Sequence, residues 1–165
     1  MSTKLSTLKT FLSSKDCFTL DDFKSFPAVL HLAVFKEPFL SLIFSGTKTL
    51  ESRLSKHRSP PYQKVSPGDI ILLKESSGPL KGFCTVKNVV YLGPLTTQEM
   101  HMTVDQYSKD LCLTEDFKRE KKESRYISLF ELENITSVHL VSIIKKDPRS
   151  WIKITNPSNN AQEIS

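Results

Sequence analysis

The sequence predicts an α+β fold in the form of a small, partly open β-barrel of about six strands. A helix is expected after the first strand, a helical segment is inserted before the last strands, and a short helical extension precedes the barrel. Apolar runs of strand length recur along the 165 residues, and prolines and glycines separate them. With 38% hydrophobic and 25% charged residues, the chain has the composition of a single globular domain.

Residues 1–26 are predicted to form the helical N-terminal extension. Leucines recur at helical spacing over residues 4–13, which indicates a short amphipathic helix. Thr19 is followed three residues later by Asp22, an arrangement typical of a helix N-cap, and Pro27 limits the second helix that begins there. We expect this extension to cover one end of the barrel.

The first strand and the first helix of the barrel follow. Residues 28–35 are apolar apart from His31, as expected of a buried strand. The next run, residues 38–45, begins with proline at the position that a helix favours for it. Gly46 then ends this helix, because glycine adopts the left-handed conformation that often follows a C-cap.

A charged motif, Gly-Thr-Lys-Thr-Leu-Glu-Ser-Arg at residues 46–53, opens the second strand. Side chains alternate along a strand, so Thr49, Glu51 and Arg53 are expected on one face. Lys48 lies at the turn, where its long stem brings the ammonium group toward the same face. The motif therefore predicts a polar cleft that suits an anionic or polar ligand.

The remaining elements are separated by turn signals. Residues 55–62 form a proline-broken basic loop that ends in Tyr62, and Pro67 and Gly68 suit the centre of a type II turn. Helical segments are expected over residues 96–118, where capping-box patterns occur. The other predicted strands are residues 69–74, 81–92, 126–132, 137–144 and 151–155.

Composition excludes some classes of function. No apolar run is long enough to span a membrane, so we expect no membrane association. The four histidines are scattered without cysteines at metal-ligand spacing, so we expect no metal site. We also expect no cofactor. The three cysteines show no CxxC spacing, which predicts reduced thiols in the cytoplasm. A net charge of +5 favours a polyanionic partner. The oligomeric state stays open.

The order Gly-x-Lys-x-x-Glu-x-Arg at residues 46–53 resembles the motif that marks the ASCH family, whose members are relatives of the PUA-like RNA-binding barrels. The Pro-Gly-Asp turn at residues 67–69 is similar to the second landmark of that family, and residues 145–152 resemble its closing hairpin. The resemblance extends over residues 30–154. It implies a PUA-like domain and a function directed at RNA.

In domain terms, the resemblance implies an ASCH domain over residues 27–155, and the polar residues 156–165 are predicted to form a disordered tail. The implied ligand is RNA or a nucleotide, bound without a metal or a cofactor. Tyr62 would supply an aromatic ring behind the basic loop. Lys74 ends a strand, where it either points into the cleft or is solvated. The predicted ligand-binding residues are Lys48, Glu51, Arg53, Tyr62 and Lys74.

Three other interpretations remain open. One is a protein-interaction or coactivator module, since larger ASCH proteins attach the domain to other regulatory regions. The resemblance also allows a hydrolase at the same cleft, either a ribonuclease or an N4-acetylcytidine-type amidohydrolase, with Lys48 and Glu51 as catalytic residues. Compact bacterial ASCH proteins that hydrolyse N4-acetylcytidine use the motif lysine, a threonine where this chain has Glu51, and a later glutamate near Glu99. The missing threonine counts against the amidohydrolase chemistry. Catalysis ranks second because the two cations next to Glu51 oppose its use as a general base. Alternatively, Glu51 and Arg53 form a structural pair that holds the barrel while Lys48 alone contacts the ligand.

Overall fold

The structure, a computed structural model, describes residues 3–154, and the predicted tail lies outside these residues. A short 3₁₀ helix at Leu20–Phe23 accompanies the regular elements. The helices are α1 (Thr3–Leu12), α2 (Phe39–Phe44), α3 (Thr97–Gln106), α4 (Ser108–Leu111) and α5 (Glu115–Glu120). The strands are β1 (Cys17–Thr19), β2 (Leu30–Phe35), β3 (Leu50–Ser55), β4 (Ile70–Glu75), β5 (Leu80–Leu92), β6 (Tyr126–Ile144) and β7 (Trp151–Ile154).

Within the described residues, seven strands form one mixed sheet in the order β1-β6-β5-β4-β2-β7, and β3 pairs with β6. Most neighbouring strands are antiparallel, whereas β2 with β4 and β1 with β6 run parallel. The sheet is not closed, because β3 and β7 are not paired with each other. The predicted α+β class is confirmed, and the additional strand is β1, whose three residues are too few to show an alternating pattern.

The predicted strands 126–132 and 137–144 are a single strand, β6, and the prediction of a break was wrong. Its first part lies between β3 and β5, and its last residues pair with β1. The pairing register between β5 and β6 shifts along the ladder, and Asn134 adopts a left-handed φ of 55° inside β6. Pairing with a long, bulged neighbour therefore keeps the strand continuous through its polar middle.

The N-terminal segment packs closely on the sheet. The predicted helix is present as α1, and its buried leucines join one apolar core with Phe18 and Phe23. The backbone N–H of Thr19 donates to the Asp22 carboxylate at 2.8 Å, which fixes the start of the 3₁₀ helix. Residues 3–154 contain no helix that is both long and apolar enough to cross a membrane.

The turn after α2 sets the start of β3. Gly46 adopts a φ of +80°, as expected for the residue that ends this helix. The backbone N–H of Lys48 then donates to the carbonyl of Leu42 at 3.0 Å, which folds the motif back against α2. The predicted type II turn is also present, because Gly68 has a φ of +92° and the N–H of Asp69 donates to Ser66 at 3.1 Å.

The helical insertion between β5 and β6 forms an outer wall over β3. The predicted helical stretch is confirmed as α3, α4 and α5, and α3 begins at a capping box in which Thr96 and Glu99 exchange two hydrogen bonds of 3.0 and 3.1 Å. A separate apolar cluster joins the helical insertion to the sheet. Its buried members are Met100, Val104, Leu111, Ile127 and Leu129.

Gly82 lies where α2 rests on the sheet. A Cβ at this position would lie 2.1 Å from the carbonyl oxygen of Thr136 and 2.8 Å from the ring of Phe44. The carbonyl belongs to the backbone of β6, so a rotamer change cannot relieve the overlap. Glycine is therefore required for α2 to seat against β5.

We expect Gly82→Ala to lower the free energy of unfolding by about 1–3 kcal/mol, because the methyl group overpacks the interface between α2, β5 and β6. Urea unfolding followed by circular dichroism measures the change. Lys87→Ala, an exposed substitution on the same strand, is the matched control and should stay within about 0.5 kcal/mol. Equal stability of the two variants would contradict the close packing.

Candidate functional site

A cavity of about 400 Å³ occupies the opening where the sheet fails to close. Strand β3 contributes residues 51–55 to its floor, and the end of β2 contributes Val34 and Phe35. The proline-broken loop and α5 form the other walls. The wall and rim residues important below are Lys36, Phe39, Ser59, Phe117, Lys121 and Ser150.

Two buried polar atoms, both on residues that line this cavity, have no hydrogen-bond partner in the described residues. One is Oε2 of Glu51, a residue that is only 5% exposed, and the other is Oγ of Ser52, which is 2% exposed. The second carboxylate oxygen of Glu51, Oε1, accepts the backbone N–H of Ser52 at 2.7 Å. Leaving a buried acceptor unsatisfied costs about 1–3 kcal/mol, so a polar ligand group at this point would be stabilising.

Arg53 crosses the opening of the sheet. Its Nη2 donates to the carbonyl oxygen of Val34 at 2.9 Å, and its Nη1 donates to that of Ser150 at 3.4 Å. The guanidinium group also lies 4.8 Å from the ring centre of Phe35 and 5.2 Å from that of Trp151. The predicted ligand-binding arginine thus joins β3 to β2 and to the start of β7.

Trp151, one of the two rings that contact Arg53, is fixed by a buried polar chain. Its Nε1–H donates to Nδ1 of His31 at 3.1 Å. Since Nδ1 accepts, the ring hydrogen of His31 lies on Nε2 and is donated to the Asp69 carboxylate at 2.8 Å. His31 is fully buried, and this chain orients the indole beneath the guanidinium group.

Lys48 lies behind Glu51 and does not line the cavity. Its side chain is fully buried, and Nζ donates to the carbonyl oxygen of Leu111, the last residue of α4. Nζ also lies 3.9 Å from Oε1 of Glu51 and 5.6 Å from the ring centre of Phe39. Burial lowers the pKa of the ammonium group, and the Glu51 carboxylate opposes that shift.

The contacts of Lys48 give it a clear structural role. The ammonium group caps the C-terminal end of α4, where unpaired carbonyls carry partial negative charge. It thereby fixes the helical insertion, and α5 of this insertion supplies one wall of the cavity. Lys48, Glu51 and Arg53 are brought together as the sequence predicts, because Glu51 also lies 3.9 Å from Nη2 of Arg53. Of these three, only Glu51 and Arg53 line the cavity.

The structure places Tyr62 and Lys74 away from the cavity wall. Tyr62 is 5% exposed, and its ring packs edge-on against Tyr91 and Tyr126 at centre distances of 5.4 and 5.1 Å. Lys74 is also buried, and its Nζ donates to the carbonyl of Glu75 at 3.0 Å. The two side chains complete the packing of neighbouring elements.

Glu99 lies near the later glutamate that the N4-acetylcytidine-hydrolysing ASCH proteins use. It is exposed, and its side chain forms part of the capping box of α3 described above. It does not line the cavity. In residues 3–154 no cluster of three or more histidine, cysteine, aspartate or glutamate side chains has an arrangement that holds a metal ion.

The sequence did not identify Ser52, Phe39 or Phe117 as residues that line the site. Ser52 occupies a variable position of the motif, so nothing marked it as buried. The rings of Phe39 and Phe117 contact each other edge to face at a centre distance of 5.4 Å, and both residues line the cavity. Phe117 belongs to the mixed-charge run at residues 115–123, and its position as the single aromatic residue among charged ones was the signal in the sequence.

Comparison with known families places these observations in context. The family model of the ASCH domain matches residues 34–147. The chain belongs to the ASCH domain family. The matched region contains the motif, the cavity floor and the helical insertion, so the cavity is part of the ASCH domain itself.

Solved structures support the same fold. The ASCH protein from Zymomonas mobilis superposes with a TM-score of 0.60 at 16% identity, covering 82% of this chain and 93% of that chain. A single-substitution variant of that protein gives a TM-score of 0.61 at 15% identity, covering 82% and 94%. At this identity the likeness shows the PUA-like fold alone. The comparison with curated proteins gives no match.

We expect Arg53→Lys to destabilise this ASCH domain by about 1–3 kcal/mol, because an ammonium group cannot reproduce the forked contact with the two carbonyls. Urea unfolding followed by Trp151 fluorescence measures the change, since Trp151 is the only tryptophan. Arg119→Lys on α5, an exposed arginine, is the control and should change stability little. If both variants lose the same small amount, Arg53 does not hold the sheet together.

We expect Lys48→Met to destabilise the domain by about 3 kcal/mol, because the Glu51 carboxylate and the Leu111 carbonyl lose their buried cation. The double variant Lys48→Met/Glu51→Gln should recover part of this loss, since a neutral amide needs no counter-charge. A double-mutant cycle in urea, with Glu51→Gln as the second single variant, measures the coupling. Additive losses would show that the two charges act independently.

Proposed function

We propose that this ASCH domain binds RNA or a nucleotide by accepting one nucleobase into the cavity between β3 and the β2–β7 edge. The observation that carries the proposal is the pair of buried atoms without a hydrogen-bond partner, Oε2 of Glu51 and Oγ of Ser52, on two residues that line the cavity. A ligand N–H directed at Glu51 restores the missing hydrogen bond, and a hydroxyl can serve either a donor or an acceptor of the ligand. Such groups occur together on the edges of nucleobases.

The shape of the cavity suits a planar ring. Its volume of about 400 Å³ falls within the usual range for small-molecule sites, about 300–1,000 Å³. Phe39 and Phe117 form an aromatic wall, and Pro60 and Pro61 add apolar surface. Single-stranded nucleic acids are commonly bound through bases that stack on aromatic side chains while their edges make hydrogen bonds.

The charges near the cavity assign the phosphate contact to residues other than those of the motif. Arg53 already directs its donors to two backbone carbonyls, and Lys48 is buried behind Glu51. Lys36 and Lys121 line the mouth of the cavity and are free to contact a phosphate. A nucleotide would therefore enter with its base toward Glu51 and its phosphate toward the two lysines.

A hydrolase is the second candidate, because the Glu51 carboxylate lines the cavity, has one oxygen without a hydrogen bond and lies near a lysine. Glu51 is placed to act as a general base on a bound water or hydroxyl group. The ASCH resemblance implies either ribonuclease or N4-acetylcytidine-type amidohydrolase chemistry. Lys48, however, would have to pass Glu51 to reach a substrate, so charge stabilisation by this lysine requires a change in structure. Binding without bond cleavage therefore ranks first.

The proposed setting is the cytoplasm. The cysteines Cys17, Cys84 and Cys112 are free in the structure. Free thiols are typical of proteins in reducing compartments. Cys17 is exposed, and an oxidising compartment would leave it open to unwanted pairing.

We expect Glu51→Gln to weaken the binding of nucleosides and short RNA oligonucleotides about tenfold, because the ligand donor then meets a neutral acceptor. Titration at about 50 mM salt, followed by calorimetry or fluorescence anisotropy, measures the affinity. Glu99→Gln is the matched control, since glutamine retains the cap and the residue lies outside the cavity. Its affinity should equal that of the wild type.

The same titrations separate the alternatives. Absence of binding to nucleosides and RNA at low salt, or equal affinity of wild type and Glu51→Gln, would contradict the proposal. Chromatography of the reaction mixtures with RNA and with N4-acetylcytidine reports turnover. Cleavage that the wild type performs and Glu51→Gln does not would favour the hydrolase.

A further inference from the structure

Two segments meet at one side of the cavity mouth and form a surface that we name the basic rim, residues 55–64 and 115–125. The backbone N–H of Arg125 donates to the carbonyl of Ser55 at 2.9 Å, so the two segments are joined directly. Ser59 from the first segment and Lys121 from the second line the cavity. The rim therefore begins at the cavity wall and continues over exposed surface.

The rim contains most of the excess positive charge of the chain. Its two segments hold eight lysines and arginines against four acidic residues, whereas the whole chain has 23 against 18. Three of the rim cations are paired with acidic neighbours, namely Lys56 with Glu123, Lys118 with Glu115 and Arg119 with Asp116. Within residues 3–154, the other five rim cations make no ion pair, and Arg58 and Lys122 are exposed to solvent.

Arg58 is held in place by aromatic rings. Its guanidinium carbon lies 6.0 Å from the ring centre of Tyr62 and 5.8 Å from that of Tyr126. The two tyrosines pack on each other and form a rigid support. A guanidinium group held over an aromatic surface keeps its N–H donors directed to solvent, a geometry that suits phosphate.

We propose that the basic rim binds the phosphates of single-stranded RNA that extends from the nucleotide in the cavity. The inference rests on the proposed function and deepens it, because it makes the ligand a strand of several nucleotides rather than a free nucleoside. The cavity accommodates one base, whereas the rim continues outside it to exposed residues such as Arg58 and Lys122. Only a ligand with further phosphates occupies both.

A single strand fits this arrangement better than a duplex. A base enters the cavity only when it is unstacked and unpaired, and a single strand needs the least energy to present it. The phosphates on the neighbouring nucleotides then lie outside the cavity, where the rim offers cations without acidic partners. An acidic peptide would satisfy the rim but would leave the aromatic cavity and Glu51 without a base.

The experiment compares the rim variant Arg58→Gln/Lys122→Gln with the control variant Lys4→Gln/Lys9→Gln. The control removes the same amount of charge from α1, which packs on the apolar core around Phe18 and Phe23. Fluorescence anisotropy with labelled RNA hexamers is measured at several salt concentrations, and calorimetry measures the four nucleosides. We expect the rim variant to bind hexamers about tenfold more weakly, with a log–log salt slope lower by about 1 to 1.5. Its nucleoside affinity should equal that of the wild type, and the control should change neither.

Different outcomes overturn different conclusions. If the wild type binds hexamers no more tightly than nucleosides, or if rim and control variants lose equal affinity, the basic rim does not bind a strand. If polyglutamate competes with the hexamer as well as unlabelled RNA does, the rim is a site for acidic protein instead. Failure of the proposed function appears separately, as absent nucleoside binding or as no effect of Glu51→Gln. Equal urea unfolding of both double variants confirms that folding is unaffected.

Discussion

The guanidinium group of Arg53 is the contact on which the site depends. The sheet of this ASCH domain does not close through backbone pairing between β3 and β7. Arg53 crosses that opening with two hydrogen bonds to backbone carbonyls, and Phe35 and Trp151 hold its planar group from the side. A side chain thus performs the connection that a strand pair would make in a closed barrel. Because a side chain is narrower than a strand, space remains beside it, and this space is the cavity.

Electrostatics explains why the motif contains an acid between two cations. Lys48 is buried and Arg53 is half-buried, and burial lowers the pKa of each. Glu51 lies 3.9 Å from each of them and compensates part of that cost. Each cation also has a backbone acceptor, whereas Glu51 receives one backbone N–H and keeps Oε2 free. These contacts therefore leave one carboxylate oxygen without a hydrogen bond on a residue that lines the cavity.

The helical insertion connects this buried chemistry to the outer surface. Lys48 holds the end of α4, and the apolar cluster that contains Met100 and Val104 holds α3. Helix α5 follows, and its Phe117 packs against Phe39. No residue of α5 is fully buried, so its position depends on the preceding segment and on this aromatic contact. The same segment continues into the basic rim. The site thus combines a rigid floor on β3 with a wall that few contacts support.

The fold class, the order of most elements and the grouping of Lys48, Glu51 and Arg53 could be predicted from the sequence, because they follow from periodicity, turn residues and spacing within one segment. Which of these side chains reach the cavity depends on the folded chain. Lys48 points to a carbonyl 63 residues away, Arg53 to carbonyls 19 and 97 residues away, and Tyr62 to Tyr91 and Tyr126. Local pattern does not encode such partners, because they depend on which distant strands and helices the fold brings together. For the same reason Ser52 and Phe117 become recognisable as site residues only when the opening between β3 and β7 is in view.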